Sequence, residues 1–226
     1  MDAGDRFIAQ DGQGQQWLAA LADQPSSAQI IETLLTSAPP LTPLALVVAL
    51  PKGNGFDQVV RQTTELGITH IFPVISQRTL LKPSDSRLLR WQRIAQEAAE
   101  QSERTTVPEI ASPIDFQQCL VQLDQAEAAD QGLRYLCVAR NVARSPAPDI
   151  APTAPPHLLA DLQSQLTPAL PVTLAVGPEG GWTSTEIATA LAHRYVAVSL
   201  GPAILRAVTA PITALSLVTA ARELLI

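Results

Sequence analysis

Two glycine turns near the C-terminus carry the residue types best suited to chemistry. The first, Val176-Gly177-Pro178-Glu179-Gly180-Gly181-Trp182, leaves the apolar run VTLAV and enters a segment with Thr183 three residues before Glu186. That spacing is a capping box, so it predicts a helix start, with Ile187, Leu191 and Ala192 facing inward. A strand, a glycine-rich turn and a helix N-terminus can cradle phosphate. Here there is no GxGxxG fingerprint and no Walker lysine, and Glu179 would set a negative charge beside a pyrophosphate. The turn therefore suits a ligand without a phosphate chain, or serves only as a structural turn. The second, Ser199 to Arg206, runs into a helix with Thr209 expected as its cap and Pro211 in the first turn, where a missing amide is harmless. A cation at a helix start opposes the helix dipole. Arg206 is thus either paired with a nearby carboxylate or placed to meet an anion or a developing negative charge. Both turns follow short apolar strands, at the end where open α/β sheets bind ligands, so the two can wall one small-molecule site.

Other chemistries find less support. His70, His157 and His193 are scattered without a zinc spacing, so no metal is expected. Cys119 and Cys137 are too few for a disulfide framework, which fits a reducing cytoplasm. The net charge of −6 argues against indiscriminate nucleic-acid binding, yet six of the fifteen basic residues fall between Arg78 and Arg104, against four acids. Arginine is the better residue for phosphate contact and base stacking, and the plain alternative is a solvated helix face.

The elements that must position these residues follow from periodicity. Of the 226 residues, 1–38 read as a β-hairpin, with Asp5 to Ile8, a DGQG turn at Asp11–Gly14, and Gln16 to Leu21 beyond it. Alone it is marginal, so it must pack on something or be the remainder of a larger barrel. Pro39 to Pro43 is a stiff linker and the expected domain boundary. From residue 44 onward, LALVVAL (44–50) reads as a strand buried on both faces, Phe56 to Leu66 as a helix ended by Gly67, and 68–75 as a second strand. Residues 84–102 are a strong helix, 114–129 another, 133–139 a strand, 141–156 a proline-rich loop, 158–166 a helix and 172–176 a buried strand. This alternation makes the main domain α/β with a parallel sheet. The last helix, ITALSLVTAAREL, is apolar or small nearly all round, so it is expected either to thread the core or to meet another subunit. It is too short and mixed to span a bilayer, and Met1-Asp2 to Arg6 does not open a signal peptide, so no membrane role is expected.

Taken in order, PKG, TELGI, the RW-to-EAAEQS-to-VPEI run, VGPEGGW and SLG-to-ILR-to-TA resemble the RsmE-like family, the ribosomal small-subunit RNA (uracil-N3) methyltransferases of the SPOUT class. The resemblance covers about residues 44–226. It implies a C-terminal trefoil knot, S-adenosylmethionine bound in it, a homodimer packed through it, and 16S ribosomal RNA or the small ribosomal subunit as partner. It also implies a PUA-like β-barrel before the main domain. Residues 1–38 match only part of that barrel, whose first strands and polar motif are missing from the match. By the same resemblance, the donor is held by Val176, Gly177, Pro178, Glu179, Gly180, Gly181, Leu200, Gly201, Ile204, Leu205, Arg206 and Thr209. The RNA side involves Arg78, Gln101, Ser102 and Arg104. Arg206 and Glu179 are the expected catalytic residues, with Arg206 stabilising charge on the target uracil. The sequence departs from the family pattern at Gln62, Ala203 and Val208, where the family commonly has lysine, a basic residue and glutamate. A carboxylate role at 208 therefore does not apply to this chain. The alternatives are a non-catalytic RNA-binding or ribosome-assembly protein that keeps the fold, and a nucleotide-binding enzyme of another chemistry.

Overall fold

The computed structural model describes residues 2–24, 26–34, 42–80, 85–125, 132–139 and 154–225. Three antiparallel strands come first, β1 (Arg6–Gln10), β2 (Gln16–Leu21) and β3 (Ala28–Leu34). Asp11 shapes the turn between the first two, its Oδ1 accepting from the amides of Gln13 at 2.7 Å and Gln15 at 3.0 Å. The hairpin is as expected, and the third strand is an addition to it. The tip docks on the main domain, where Gly14 N–H donates to the Thr105 carbonyl and Val107 N–H to that of Gly12, both at 2.9 Å.

The main domain follows as β4 (Leu44–Ala49), α1 (Gly55–Glu65), β5 (His70–Ile75), α2 (Asp85–Gln101), β6 (Glu109–Ile110), β7 (Ile114–Asp115), α3 (Phe116–Gln125), β8 (Leu133–Cys137), α4 (Leu158–Gln165), β9 (Val172–Val176), α5 (Ser184–Ala192), β10 (Val196–Val198) and α6 (Thr209–Glu223). The sheet order is β10-β8-β9-β4-β5-β6, with β7 also on β5, and every pairing is parallel. Strand β4 is buried along its whole length because helices cover both faces of the sheet. Leu44, Leu46 and Val48 pack with Leu174 of β9 and with α1, α2, α4 and α6. Val47 and Ala49 face the other way, onto α3, Trp182 and α5. Registers Cys137↔Val176 and Val198↔Cys137 bring the C-terminal ends of β8, β9 and β10 level. The chain then returns from the sheet edge, so that α6 lies on β9 against α1 and α4.

Several boundaries differ from expectation. Ile114 and Asp115 join the sheet, and the helix begins at Phe116; residues 126–129 lie outside the described residues. So does most of the 141–156 loop. Thr209 is not the cap of the last helix but its first residue. The capping position is Val208, already helical at φ −84° and ψ −39°, with no side-chain bond. Ala210 N–H donates to the Arg206 carbonyl at 2.9 Å, so the helical turn reaches back and leaves no extended residue for a hydroxyl cap. The helix buries Pro211, Ala214, Leu215, Val218 and Ala221 on one face, while its remaining positions are half-buried or exposed.

Candidate functional site

The two glycine turns meet in one cleft of about 280 Å³ at the C-terminal ends of β8 and β9. One wall is Val176 to Trp182, the other Leu200 to Leu205 with Ala207 and Ala210, and Cys137, Val138 and Ala139 close the end. Volume and lining fit a small-molecule site that is mostly apolar with a few placed polar groups. Burial pushes the Cys137 thiol up to about 12, so it lines the cleft as a neutral, small apolar group.

Close packing fixes the first turn. A Cβ on Gly177 would stand 3.1 Å from the Trp182 ring, which itself stacks on Phe116 with centroids 4.3 Å apart. Gly181 adopts φ +68°, where a side chain is strained. Thr183 and Glu186 form the expected capping box on α5. The Glu186 carboxylate, 2% exposed, does more than cap. Its Oε2 accepts from the amide and hydroxyl of Thr183 at 2.8 and 3.0 Å, while its Oε1 accepts from the Gln77 amide at 2.8 Å. It therefore ties the loop after β5 to the loop after β9.

Two further bonds do the same. Glu179 Oε1 accepts from the Lys52 amide at 3.0 Å, joining the loop after β4 to the first glycine turn. Arg78 Nη1 donates to the Gly180 carbonyl at 2.6 Å, and its stem lies across Gly180, where an added Cβ would meet Cδ at 3.1 Å. Arg78 thus lines the small-molecule cleft.

The structure places the expected residues unevenly. Val176 to Gly181, Leu200, Gly201, Ile204 and Leu205 all line the cleft. Arg206 does not, although both its chain neighbours do; its side chain is exposed and has no hydrogen-bond or ion-pair partner among the described residues. Thr209 is exposed outside the lining. On the RNA side, Gln101 is exposed at the end of α2, whereas Ser102 Oγ donates to the Ala98 carbonyl at 2.7 Å. Arg104 turns inward, donating to the carbonyls of Thr64 at 2.5 Å and Ile68 at 2.8 Å, and burial lowers its pKa. Sequence reasoning missed Gln77, and it read Glu186 only as a cap and Trp182 only as the end of the first turn. For Glu186 the capping box was the available signal. The Gln77 tie depends on a contact across 109 positions.

The chain has clear relatives. The model of a family described as RNA methyltransferase domain matches residues 37–219. Ribosomal RNA small subunit methyltransferase E of Synechocystis sp. is 43% identical over 224 residues, covering 99% of this chain and 68% of that protein. The protein of the same name from Bacillus subtilis is 31% identical over 234 residues, covering 100% and 85%. Among solved structures, the ribosomal RNA small subunit methyltransferase E of Neisseria gonorrhoeae bound to S-adenosyl methionine superposes with a TM-score of 0.75. It is 28% identical, covering 96% of this chain and 83% of that one. A putative methyltransferase of Legionella pneumophila in complex with the same cofactor gives a TM-score of 0.76 at 26% identity, covering 98% and 85%.

Proposed function

The chain belongs to the RNA methyltransferase family, among the ribosomal RNA small subunit methyltransferases E, and from that premise we propose that it methylates N3 of a uridine in 16S ribosomal RNA with S-adenosylmethionine as donor. The observation that carries this reading is the meeting of both glycine turns in one cleft, neither turn carrying a GxGxxG fingerprint or a Walker lysine.

The residues present fit the donor. The cleft is lined mostly by apolar carbon and loop backbone, and its charged groups, Glu179 and Arg78, are both bonded to loop backbone. Gly177 and Gly180 let the Trp182 ring and the Arg78 stem close on the turn, which shapes the cleft wall. On our reading Gly177 to Gly181, Leu200, Gly201, Ile204 and Leu205 hold it, with Val176 beneath. Bound there, the donor supplies an electrophilic methyl group on a sulfonium. Uracil N3 carries a proton at neutral pH, so the protein must let that proton leave and stabilise the charge spread onto O2 and O4. Arg206, flanked by two lining residues and free of partners among the described residues, is the group we assign to that charge. Glu179 holds the loop through Oε1, and we assign Oε2, which has no partner among the described residues, to passing the proton to water. Walls fixed by Glu186, Glu179 and Arg78 keep the geometry preorganised.

The same reading includes a SPOUT-type knot formed by the C-terminal segment, and a homodimer packed through it. Ile204, 85% exposed at the rim of the cleft it lines, and Leu224, 82% exposed after α6, are apolar groups that a second subunit would cover. The N-terminal sheet is read as part of a PUA-like barrel that holds RNA, together with the exposed Gln101, in the cytoplasm; Arg78, Ser102 and Arg104, expected on the RNA side, are engaged with backbone carbonyls instead. No described helix is long and apolar enough to cross a membrane. Mass spectrometry of ribosomal RNA with and without this protein tests the function. N3-methyluridine should depend on it, and unchanged modification defeats the assignment. Arg206→Ala should lower kcat by about 100-fold or more while donor affinity stays within a few fold; near-normal turnover removes the arginine from the mechanism.

A second reading, an RNA-binding protein without catalysis, has one observation in its favour. Position 208 carries a valine packed against the apolar core, where the family pattern has a carboxylate. Calorimetry showing no binding of S-adenosylmethionine would select it.

A further inference from the structure

A second cleft, of about 430 Å³, lies between the tip of the β1–β2 hairpin and the C-terminal half of α2, and shares no lining residue with the first. It is framed by glutamine amides, Gln10 and Gln13 from the hairpin and Gln92 and Gln96 from α2, over apolar surface from Ala99, Val107 and Pro108. The backbone bonds from Gly14 to Thr105 and from Val107 to Gly12 fix its shape. A Cβ on Gly12 would stand 3.0 Å from Val107 Cγ2, so the two segments could not approach as closely with another residue there.

The polar groups in this cleft are of a particular kind. Gln10 Oε1 is buried with no hydrogen-bond partner among the described residues, an acceptor left without a donor. The Gln10 residue is itself only half-buried and lines the cleft, and the torsion of a terminal carboxamide is broad, so a bound base could draw that oxygen toward its edge. Glu100 adds a second acceptor, its Oε1 already taking a bond from Gln96 Nε2 at 3.1 Å. The cation in the lining, Arg104, is committed to two carbonyls, while Asp11 and Glu100 are acidic. A phosphate is therefore disfavoured. A flat, neutral group offering N–H donors at its edge and a face for apolar contact is favoured. Glutamine amides and carboxylates read base edges in this way, the carboxylate accepting from an exocyclic amine.

We propose that this cleft receives one unstacked nucleobase with an exocyclic amine, adenine, cytosine or guanine and not uracil, from the RNA substrate. The N-terminal sheet and the main domain then grip the strand together, at a place separate from the reacting uridine. The proposal rests on the RNA methyltransferase reading given above.

Two measurements on the full chain test it. In NMR titrations, AMP, CMP and GMP should shift the side-chain amide resonances of Gln10 and Gln13, and UMP should not; equal response to all four overturns the proposal, as does no response. In steady-state methylation of small-subunit RNA, Gln10→Leu should raise the KM for RNA about tenfold, the order expected for one lost base contact. It should leave kcat and donor affinity unchanged. Gln96→Ala, on the exposed face of α2, should raise it about threefold and serves if the first variant folds poorly. An unchanged RNA KM in both variants overturns the proposal. If wild-type protein transfers no methyl group, the parent reading fails instead, and the nucleotide titration still decides the cleft.

Discussion

Replacing Glu186 with glutamine tests whether one buried carboxylate holds the donor cleft together. Its two oxygens serve the Gln77 amide on one side and the Thr183 amide and hydroxyl on the other. Glutamine keeps one acceptor oxygen and turns an NH2 group toward the remaining N–H, so at least one charge-assisted bond is lost with no replacement. A hydrogen bond to a charged group contributes about 1.5–3 kcal/mol. The negative charge in the first turn of α5 adds up to about 1 kcal/mol through the helix dipole, for an expected loss of about 3 kcal/mol. In a chain of 226 residues each kcal/mol lowers Tm by about 2–4 °C, so calorimetry should record a fall of about 6–12 °C. Gln77 lies beside Arg78, whose guanidinium holds the Gly180 carbonyl, so the freed loop should also weaken donor binding. A fall in Tm below about 2 °C with unchanged donor affinity would refute the reasoning.

Arg222 donates to the carbonyls of Thr42, Pro43 and Leu170 at 3.0–3.1 Å, pinning α6 to the segments that lead into β4 and β9. Arg222→Met should cost about 2–4 kcal/mol in urea unfolding, because half-buried carbonyls lose charged donors. Burial alone would raise the pKa of Asp124, but hydrogen bonds and charge from Arg134 and His193 outweigh it and hold the carboxyl below its ordinary 3.8. Its contribution is therefore complete above that value and is lost as pH falls through the lower folded value. Urea midpoints below about pH 4 should drop more steeply in wild type than in Asp124→Asn. Gly55→Ala at the start of α1 should destabilise, against the usual gain of about 0.5–1 kcal/mol for this exchange in a helix. The new Cβ meets Val208 Cγ2 at 2.9 Å and Pro51 Cγ at 3.3 Å. Adding Val208→Ala should recover stability in chemical denaturation, and an additive double variant would exclude the clash.

The alternation of buried strands and amphipathic helices was legible because each signal lies within one element. β4 is apolar throughout, and α1 repeats its buried residues Phe56, Val59, Val60, Thr63 and Thr64 at helical spacing. Strand β3 was not legible. Its sequence AQIIETL places two isoleucines side by side and is almost wholly exposed, so no period-two burial marks it; pairing with β2 defines it. The error at Thr209 has a similar cause, since hydroxyl preference is local while the backbone there continues a turn begun at Arg206. Within the donor cleft, both glycine turns could be read from the sequence. The bonds that hold them could not, because Lys52 to Glu179, Gln77 to Glu186 and Arg78 to Gly180 each span more than a hundred positions.

Those long-range bonds bear on the chemistry. Parallel strands release their loops at one end of the sheet, so loops distant in sequence become neighbours and can satisfy one another. Glu179 and Glu186 serve backbone amides of the β4 and β5 loops, and Arg78 serves a backbone carbonyl of the glycine turn. Each charged group is therefore engaged in shaping the cleft before any ligand arrives. Arg206 differs. It is exposed between two lining residues and unpaired among the described residues. A group that must meet charge only in the transition state should have no competing partner in the resting protein. That is why, on our reading, Arg206 is assigned the charge on the uracil, while the engaged groups hold the donor cleft in shape and Glu179 alone also serves the proton.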